Sequence, residues 1–356
     1  MRELFESTIE RLLGDLATPE YVLGCEGGVW PAELWTAVEE SGFTLAGVPE
    51  HLGGAEAGWA DLHLLVRAAG RFAAPIPLGE ALLANWLLGQ AGLEGQGGVL
   101  SFAADAQLGL RDGKVDGSVH DVPWGRHAEA VVAIADDAGT PSVVLLARAE
   151  AAEQSHGLNV AGEPRDGLRF SAAAVLASAP LPPSVSADVL LLGGALLRSA
   201  QIAGAAQALL DMTSKYAGER SQFGRPIGAF QAIQQQLAVF AEQLAAAGIA
   251  AEAAFVESDT ALAALTIAVA KVSTAEAASS AAGIAHSVHG AIGFTQEYSL
   301  HLLSRRLWAW RSEFGSASLW SQRIGQLVCA SGGEDYWSLL TEHAQQSLPG
   351  LEGPTP

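Results

Sequence analysis

The stretch YAGERSQFGRPIGAFQAIQQQ, residues 216–236, constrains the fold most, because it predicts a tight turn between two long helices. Glu219 and Arg220 close the first helix, and Gly224 permits backbone angles that other residues resist. Pro226 is suited to the first turn of the second helix. The second helix then carries apolar residues at helical spacing, at positions 230, 233, 237, 240 and 244.

The turn between these helices carries Arg220 and Arg225 together with several amide donors. Guanidinium groups on a rigid corner match the geometry of an anion such as a pyrophosphate. A capped helix hairpin with solvated arginines explains the same residues equally well. The motif alone leaves both interpretations open.

The composition bounds the class of protein. The 356 residues include 19 basic and 39 acidic side chains, a net charge of −20, which disfavours nucleic acid and anionic membranes as partners. Cys25 and Cys329 have no partners at ligand spacing and the histidines do not cluster, so no metal site is predicted. The first residues contain no apolar run followed by a cleavage site, so no signal peptide is predicted in them. The alanine-rich residues 261–292 are typical of a close-packed core helix. We expect a cytoplasmic protein with no membrane span.

Hydrophobic periodicity divides the chain into three domains and a tail. Residues 1–97 are predicted to be helical, and residues 98–183 contain short β-prone runs typical of an antiparallel barrel or sandwich. Residues 184–345 hold four long helical segments, which favours a four-helix bundle. Residues 346–356 are predicted to be a disordered tail. The fold class is therefore mainly α with a small middle β domain.

Two further passages contain candidate binding or catalytic residues. In HGAIGFTQEY, residues 289–298, two glycines would let the backbone approach a ligand closely, although a helix cap followed by a loop explains them too. In WAWRSEFGSAS, residues 308–318, Glu313 stands beside aromatic residues before a glycine. A carboxylate in apolar surroundings has a raised pKa and can act as a general base. The alternative is a surface carboxylate paired with Arg306 or Arg311.

The order of domains and these passages together resemble the acyl-CoA dehydrogenase family over nearly the whole chain. YAGERSQFGRPIGAFQAIQ is similar to the motif after the family's first bundle helix, and VHGAIGFTQEYSL to its glycine turn. GVPEHLGG and GRFAAPIPLGEALLA also resemble family segments. The resemblance implies an FAD-dependent enzyme that dehydrogenates acyl-CoA thioesters, in which a glutamate removes the α-proton and hydride leaves to the flavin. It further implies an electron-transfer flavoprotein as the acceptor.

The resemblance assigns cofactor-binding residues one by one. Those implied to contact FAD, some of them across a subunit interface, are Arg220, Gln222, Phe223, Gln231, Gly290, Ala291 and Ser316. Ala291 stands where the family more often has a second glycine. Trp124 follows the segment that replaces the family's Trp-Ile-Thr strand, and it either covers the flavin or is a core aromatic residue. The family's flavin loop has no counterpart, and SFAADA at residues 101–106 stands roughly in its place.

The base position departs from the family pattern. The usual position of the glutamate falls on Phe314 and the alternative one near Gly194, so neither aligned position is a carboxylate. Glu313, one residue earlier, is the candidate catalytic residue. A shortened β domain of this kind resembles members that work as heteromeric pairs on bulky acyl-CoAs such as steroid side chains. Three hypotheses follow: a dehydrogenase that is self-sufficient through Glu313 or another carboxylate; a non-catalytic partner subunit that completes a flavin site with a different chain; and a structural relative without flavin. The expected assembly is a homo-oligomer or a heteromer with a related subunit.

Overall fold

A computed structural model describes residues 2–259 and 261–332, together with residues 337, 338 and 348. The first helices are α1 (Arg2–Leu16), α2 (Pro19–Gly24), α3 (Ala32–Glu40), α4 (Trp59–Arg71) and α5 (Leu78–Gln90). The strands of the sheet are β1 (Leu100–Phe102), β2 (Asp105–Arg111), β3 (Lys114–Pro123), β4 (Ala130–Asp137), β5 (Thr140–Ala147), β6 (Glu153–Ser155), β7 (Arg165–Ala174) and β8 (Ala177–Pro180).

The second helical region begins with α6 (Val189–Glu219), and a short hairpin of β9 (Ser221–Gln222) and β10 (Arg225–Pro226) follows it. The remaining helices are α7 (Gln231–Glu257), α8 (Ala264–His289), α9 (Leu300–Trp310) and α10 (Ala317–Ser331). The order of helices, sheet and helices confirms the predicted fold class. The predicted domain limits fall in the α5–β1 and β8–α6 connections, and the predicted tail, apart from residue 348, lies outside the described residues.

The strands form one mostly antiparallel sheet in the order β6-β7-β3-β2-β4-β5-β8, with β1 paired in parallel to β4. Side chains alternate between two cores along its central strands, as the pleat of a strand requires. Val132 and Leu145, opposite each other on β4 and β5, face the helices. Val131 and Leu146 pack into a second core on the other face of the sheet. The first core is shared by the N-terminal helices and the bundle, so the sheet is fixed against both.

The bundle differs from the predicted one in two details. The fourth helical segment is divided into α9 and α10 by a turn in which Phe314 and Gly315 have positive φ angles of 53° and 95°. Pro226 does not open the second helix as predicted: it lies in β10, and α7 begins at Gln231. The reason is the two-residue turn Phe223–Gly224, whose positive φ angles of 51° and 81° favour a hairpin before the helix can start.

Helices α6 and α7 are both long and apolar enough to cross a membrane by length and composition alone. In α6, 94% of the apolar window is buried inside the fold, which is the position of a core helix. In α7 only 33% of that window is buried, so much of its apolar surface is exposed in a single chain.

Candidate active site

A cavity of about 430 Å³ lies between the sheet and the start of the bundle. One wall is formed by Ala104 and by His120 and Asp121, which lie where a bulge interrupts the pairing of β3 with β7. The opposite wall is formed by Leu191 at the start of α6 and by the turn that follows α9. Bulges commonly re-aim side chains next to binding sites. The size and the mixed lining are those of a small-molecule pocket.

Glu313 lies in this cavity wall, at the turn between α9 and α10. Arg165 donates to both of its oxygens, from Nε to Oε1 at 3.0 Å and from Nη2 to Oε2 at 2.9 Å. Arg198 donates from Nε to Oε2 at 2.7 Å, and Asn159 from Nδ2 to Oε1 at 2.8 Å. The carboxylate is therefore paired with Arg165 and Arg198, and not with Arg306 or Arg311 as the alternative interpretation expected.

The prediction that Glu313 has a raised pKa is wrong. Burial alone would raise it, but the charges of Arg165 and Arg198 and the hydrogen bonds from Arg165 and Asn159 outweigh burial and hold the pKa well below its usual range. The side chain is 16% exposed, so solvent screens these arginines only weakly. Glu313 is consequently ionised across the physiological pH range.

A second layer of charges holds the arginines in place. Arg198, almost completely buried in α6, donates from Nη2 to Glu80 on α5 at 2.7 Å and from Nη1 to Gln201. Arg165 donates from Nη2 to Glu163 at 3.1 Å. Buried charges are stable only when they are paired in this way. The position of Glu313 is therefore fixed by α5, α6 and the loop before β7 together.

Lys271 supports the same turn from behind. It is fully buried on α8, and its Nζ donates to the carbonyl oxygens of Trp310 at 2.9 Å and Arg311 at 2.8 Å. These carbonyls lie at the C-terminus of α9, where a cation meets unpaired acceptors and the negative end of the helix dipole. Burial lowers the pKa of Lys271 to about 7. The amine thus ties α8 to the backbone just before Glu313.

The structure brings the two aligned base positions, Phe314 and Gly194, into direct contact. A Cβ placed on Gly194 would lie 2.4 Å from the Phe314 ring, so only glycine fits there beside this phenylalanine. On its other side the Phe314 ring lies 5.4 Å from the ring of Phe102 on β1. An aromatic ring therefore occupies the place of both possible carboxylates.

The predicted anion corner forms a separate cavity of about 380 Å³ at the other end of α6. Arg220, Gln222 and Phe223 line it, together with Tyr216 and His289. Arg220 caps the C-terminus of α6, and Phe223 at the tip of the hairpin is 92% exposed. The site thus combines an exposed guanidinium, a carboxamide and aromatic faces, which suits a phosphate joined to a ring system.

The glycine turn meets this corner from α8. Tyr216 stacks on His289 at 4.4 Å and donates from its hydroxyl to the His289 carbonyl at 3.4 Å. Gly290 ends α8 with a φ of 61°, and Ala291 follows it on the surface. Gln231 is the exposed first residue of α7. These three residues surround the corner but do not line its cavity.

Ser316 and Trp124 lie apart from the corner. Ser316 is the N-cap of α10, and its hydroxyl accepts a hydrogen bond from the Leu319 amide at 3.3 Å. Trp124 is buried, packs edge-on against Trp30 at 6.2 Å and does not line the Glu313 cavity. Of the two interpretations of Trp124, the geometry therefore corresponds to the core aromatic residue.

Sequence reasoning missed the residues that hold Glu313. Arg165 and Asn159 lie 148 and 154 positions away along the chain, so no local pattern connects them to it. Arg198 left one signal: it is a lone arginine in the apolar run VLLLGGALLRSAQIAGAA. A charged side chain on the buried face of a helix requires a partner of opposite charge, so this arginine indicates an acidic residue in the neighbouring core.

Residues 187–320 match the family model of the C-terminal domain of acyl-CoA dehydrogenases. The chain is 28% identical to acyl-CoA dehydrogenase IpdE2 of Mycobacterium tuberculosis over 265 residues, which are 69% of this chain and 73% of that relative.

Many solved structures share the fold. The ChsE4-ChsE5 complex from Mycobacterium tuberculosis superposes with a TM-score of 0.84 at 23% identity, over 93% of this chain and 98% of the matched chain. The Tcur3481-Tcur3483 steroid ACAD G363A variant gives a TM-score of 0.81 at 24% identity, over 92% and 98% of the two chains. The arrangement of helices and sheet described above is thus shared with both.

Proposed function

Because the chain belongs to the acyl-CoA dehydrogenase family, we propose that it is an FAD-dependent enzyme that introduces the α,β double bond into an acyl-CoA thioester. The observation that carries this proposal is the cavity beside Glu313, where an ionised carboxylate lies between the sheet and the bundle. The matched region covers α6 through the start of α10, which build the anion corner and the helical wall of the cavity.

The corner residues fit the phosphate and adenine portion of FAD. Arg220 supplies positive charge, Gln222 an amide donor, and Phe223 and Tyr216 aromatic faces at one cavity. The family resemblance implies that this end of the cofactor comes from a neighbouring subunit, which agrees with the exposure of the corner. When bound, FAD accepts the hydride that leaves the β-carbon of the acyl chain.

We assign removal of the α-proton to Glu313. Arg165 and Arg198 keep this carboxylate ionised and therefore able to accept a proton. The same arginines make it a weak base, because stabilising the anion lowers its affinity for the proton. Fast proton transfer accordingly requires that acyl-CoA binding weakens these ion pairs.

The names of similar structures support two finer proposals. The fold is shared with a complex of two chains and with a steroid enzyme, which favours a bulky acyl group and an oligomer or a heteromer with a related subunit. We also propose electron-transfer flavoprotein as the acceptor and the cytoplasm as the location.

A second candidate function rests on the contact between Phe314 and Gly194. Because a ring fills both aligned base positions, the chain would suit a non-catalytic subunit that completes the flavin site of a related chain. The comparisons favour the dehydrogenase, and the local geometry at this contact favours the partner subunit.

The absorbance spectrum of the purified chain distinguishes the dehydrogenase from the partner subunit. We expect a flavin band, its bleaching on addition of bulky acyl-CoAs, and a bleaching rate at least about 100-fold lower in Glu313→Gln, the usual contribution of a general base. Glu153→Gln, which removes an exposed carboxylate paired with Arg169, should bleach at the wild-type rate.

Other outcomes assign the function differently. A colourless chain that gains flavin and activity only with a second, related chain would identify the partner subunit. Full activity in Glu313→Gln would show that another group takes the proton.

A further inference from the structure

A third cavity, of about 430 Å³, opens between α4, α6 and α7 and shares no residue with the Glu313 cavity or the anion corner. Its origin is a close helix crossing. A Cβ on Gly70 would lie 2.1 Å from the Gln201 carbonyl, and one on Gly204 would lie 2.0 Å from that of Arg67. The backbones of α4 and α6 therefore touch at these glycines, and the cleft opens beside the crossing, towards α7.

His63 lies in this cleft and has an unsatisfied side chain. It is 4% exposed, and neither ring nitrogen has a hydrogen-bond partner among the described residues. The ring instead packs at 5.0 Å from Phe255. Burial lowers the pKa of His63 to about 4, so at neutral pH it is an uncharged ring with one donor and one acceptor. Buried polar groups usually have hydrogen-bond partners, and because His63 lines the cleft, its two nitrogens are available to a ligand bound there.

The charges around His63 favour an anion. Arg67 lies one helical turn further along α4 and lines the same cleft, and no ion pair of Arg67 is found among the described residues. Glu252, the acidic lining residue, is already paired with Arg2 at 2.6 Å. The positive charge of Arg67 is thus the one that a ligand would balance.

The remaining walls are mostly apolar, and the one polar lining residue besides those named, Gln207, donates to Asp211 at 2.9 Å. Leu210 on α6 and Leu244 on α7 line the cleft, and over Gly248 there is open space, since a Cβ there would meet nothing within 4 Å. Ile249, also part of the lining, is 70% exposed. An aliphatic chain would cover this surface, whereas a compact inorganic anion would leave it in water.

We propose that the α4–α6–α7 cleft binds a small aliphatic carboxylate, whose head group is held by Arg67 and His63 and whose chain packs on Leu210 and Leu244. This cleft and the Glu313 cavity lie on different segments of α6, at residues 203–210 and at Leu191. Ligand binding at this site therefore does not depend on the proposed dehydrogenase function.

Calorimetric titration of the purified protein with octanoate tests the proposal. We expect one saturable site, with an affinity at least about tenfold weaker in Arg67→Gln, the loss of one charge-assisted hydrogen bond. His63→Phe keeps the ring and removes its nitrogens, and it should weaken binding by about the same factor. Thermal melting of each variant verifies that it is folded.

Two control variants locate the site. Arg71→Gln, one turn beyond Arg67 and paired with exposed Asp211, should leave the affinity unchanged. Glu313→Gln should also leave the octanoate affinity unchanged. This substitution frees Arg165 in the Glu313 cavity, so it would change the affinity only if octanoate bound there. The proposal is overturned if octanoate does not saturate, if Arg67→Gln binds like the wild type, if Glu313→Gln changes the affinity, or if octylamine binds equally well.

Discussion

At the scale of single residues, the candidate site is decided by charge pairing rather than by apolar burial. Glu313 has aromatic neighbours in sequence, which predicted a raised pKa, yet the folded chain surrounds it with two guanidinium groups. Neighbouring charges act over a few ångströms and override desolvation when they are close enough. The identity of the candidate carboxylate was readable from the sequence, but its electrostatic state depended on residues from β7 and α6.

Lys271 gives a prediction with a defined pH window. Its pKa is about 7 in the folded chain and near 10.5 when unfolded. Between these values the unfolded chain binds more protons, so this residue's contribution to the free energy of unfolding rises with pH. Relative to Lys271→Met, the wild type should gain about 2 kcal/mol between pH 7 and pH 9.

Urea denaturation of both proteins across this pH range measures that difference. Other titrating groups are common to the two chains and cancel. A difference that does not change with pH would show that Lys271 keeps an ordinary pKa, contrary to its complete burial against Trp310 and Arg311.

At the scale of elements, the sequence predicts a helix end or a turn correctly where residues close together in the chain determine it. The end of α6 at Glu219 and the positive φ of Gly224 follow from the residues of the turn itself. The start of α7 did not, because the preference of Pro226 for a first helical turn competes with the hairpin formed by Phe223 and Gly224. In the turn between α9 and α10, Trp320 Nε1 donates to the Phe314 carbonyl at 3.0 Å. Gly315 predicts a break in the helix at this point, but the contact with Trp320 could not be predicted from it.

The β9–β10 hairpin carries a prediction about cofactor binding. Arg220 lines the corner cavity, whereas Arg225 lies 4.2 Å over the ring of Phe230 and does not line it. Arg220→Gln should weaken FAD binding by about tenfold to a hundredfold, the loss of a charge-assisted hydrogen bond. Arg225→Gln should change it by less than about threefold, since it removes a surface cation–π contact.

Quenching of FAD fluorescence on titration with each variant measures the two affinities. Equal losses in both would mean that general positive charge, and not the position of Arg220, attracts the cofactor. No loss in either would remove the corner from the proposed FAD site.

At the scale of the whole molecule, the distribution of apolar surface indicates assembly. Helix α7 is apolar along its length but packs largely on one side, and Val239 remains 45% exposed on it. Phe223, which lines the anion corner, and Phe294, in the turn after α8, are also exposed. Exposed apolar surface of this extent on a helix is typical of an interface between subunits. We therefore expect the purified chain to sediment as an oligomer.

Substitution on α7 tests whether this surface holds the subunits together. Val239→Glu places a charge on this surface and should shift the sedimenting species towards the monomer. If the anion corner of one subunit holds the FAD of another, the monomer should also lose its bound FAD. Leu176→Glu is the matched control, because Leu176 is 60% exposed and lies in the β7–β8 connection, far from α7 in the chain. A wild-type chain that is monomeric and colourless by itself would instead favour the partner-subunit function, since α7 would then be covered only by a related chain.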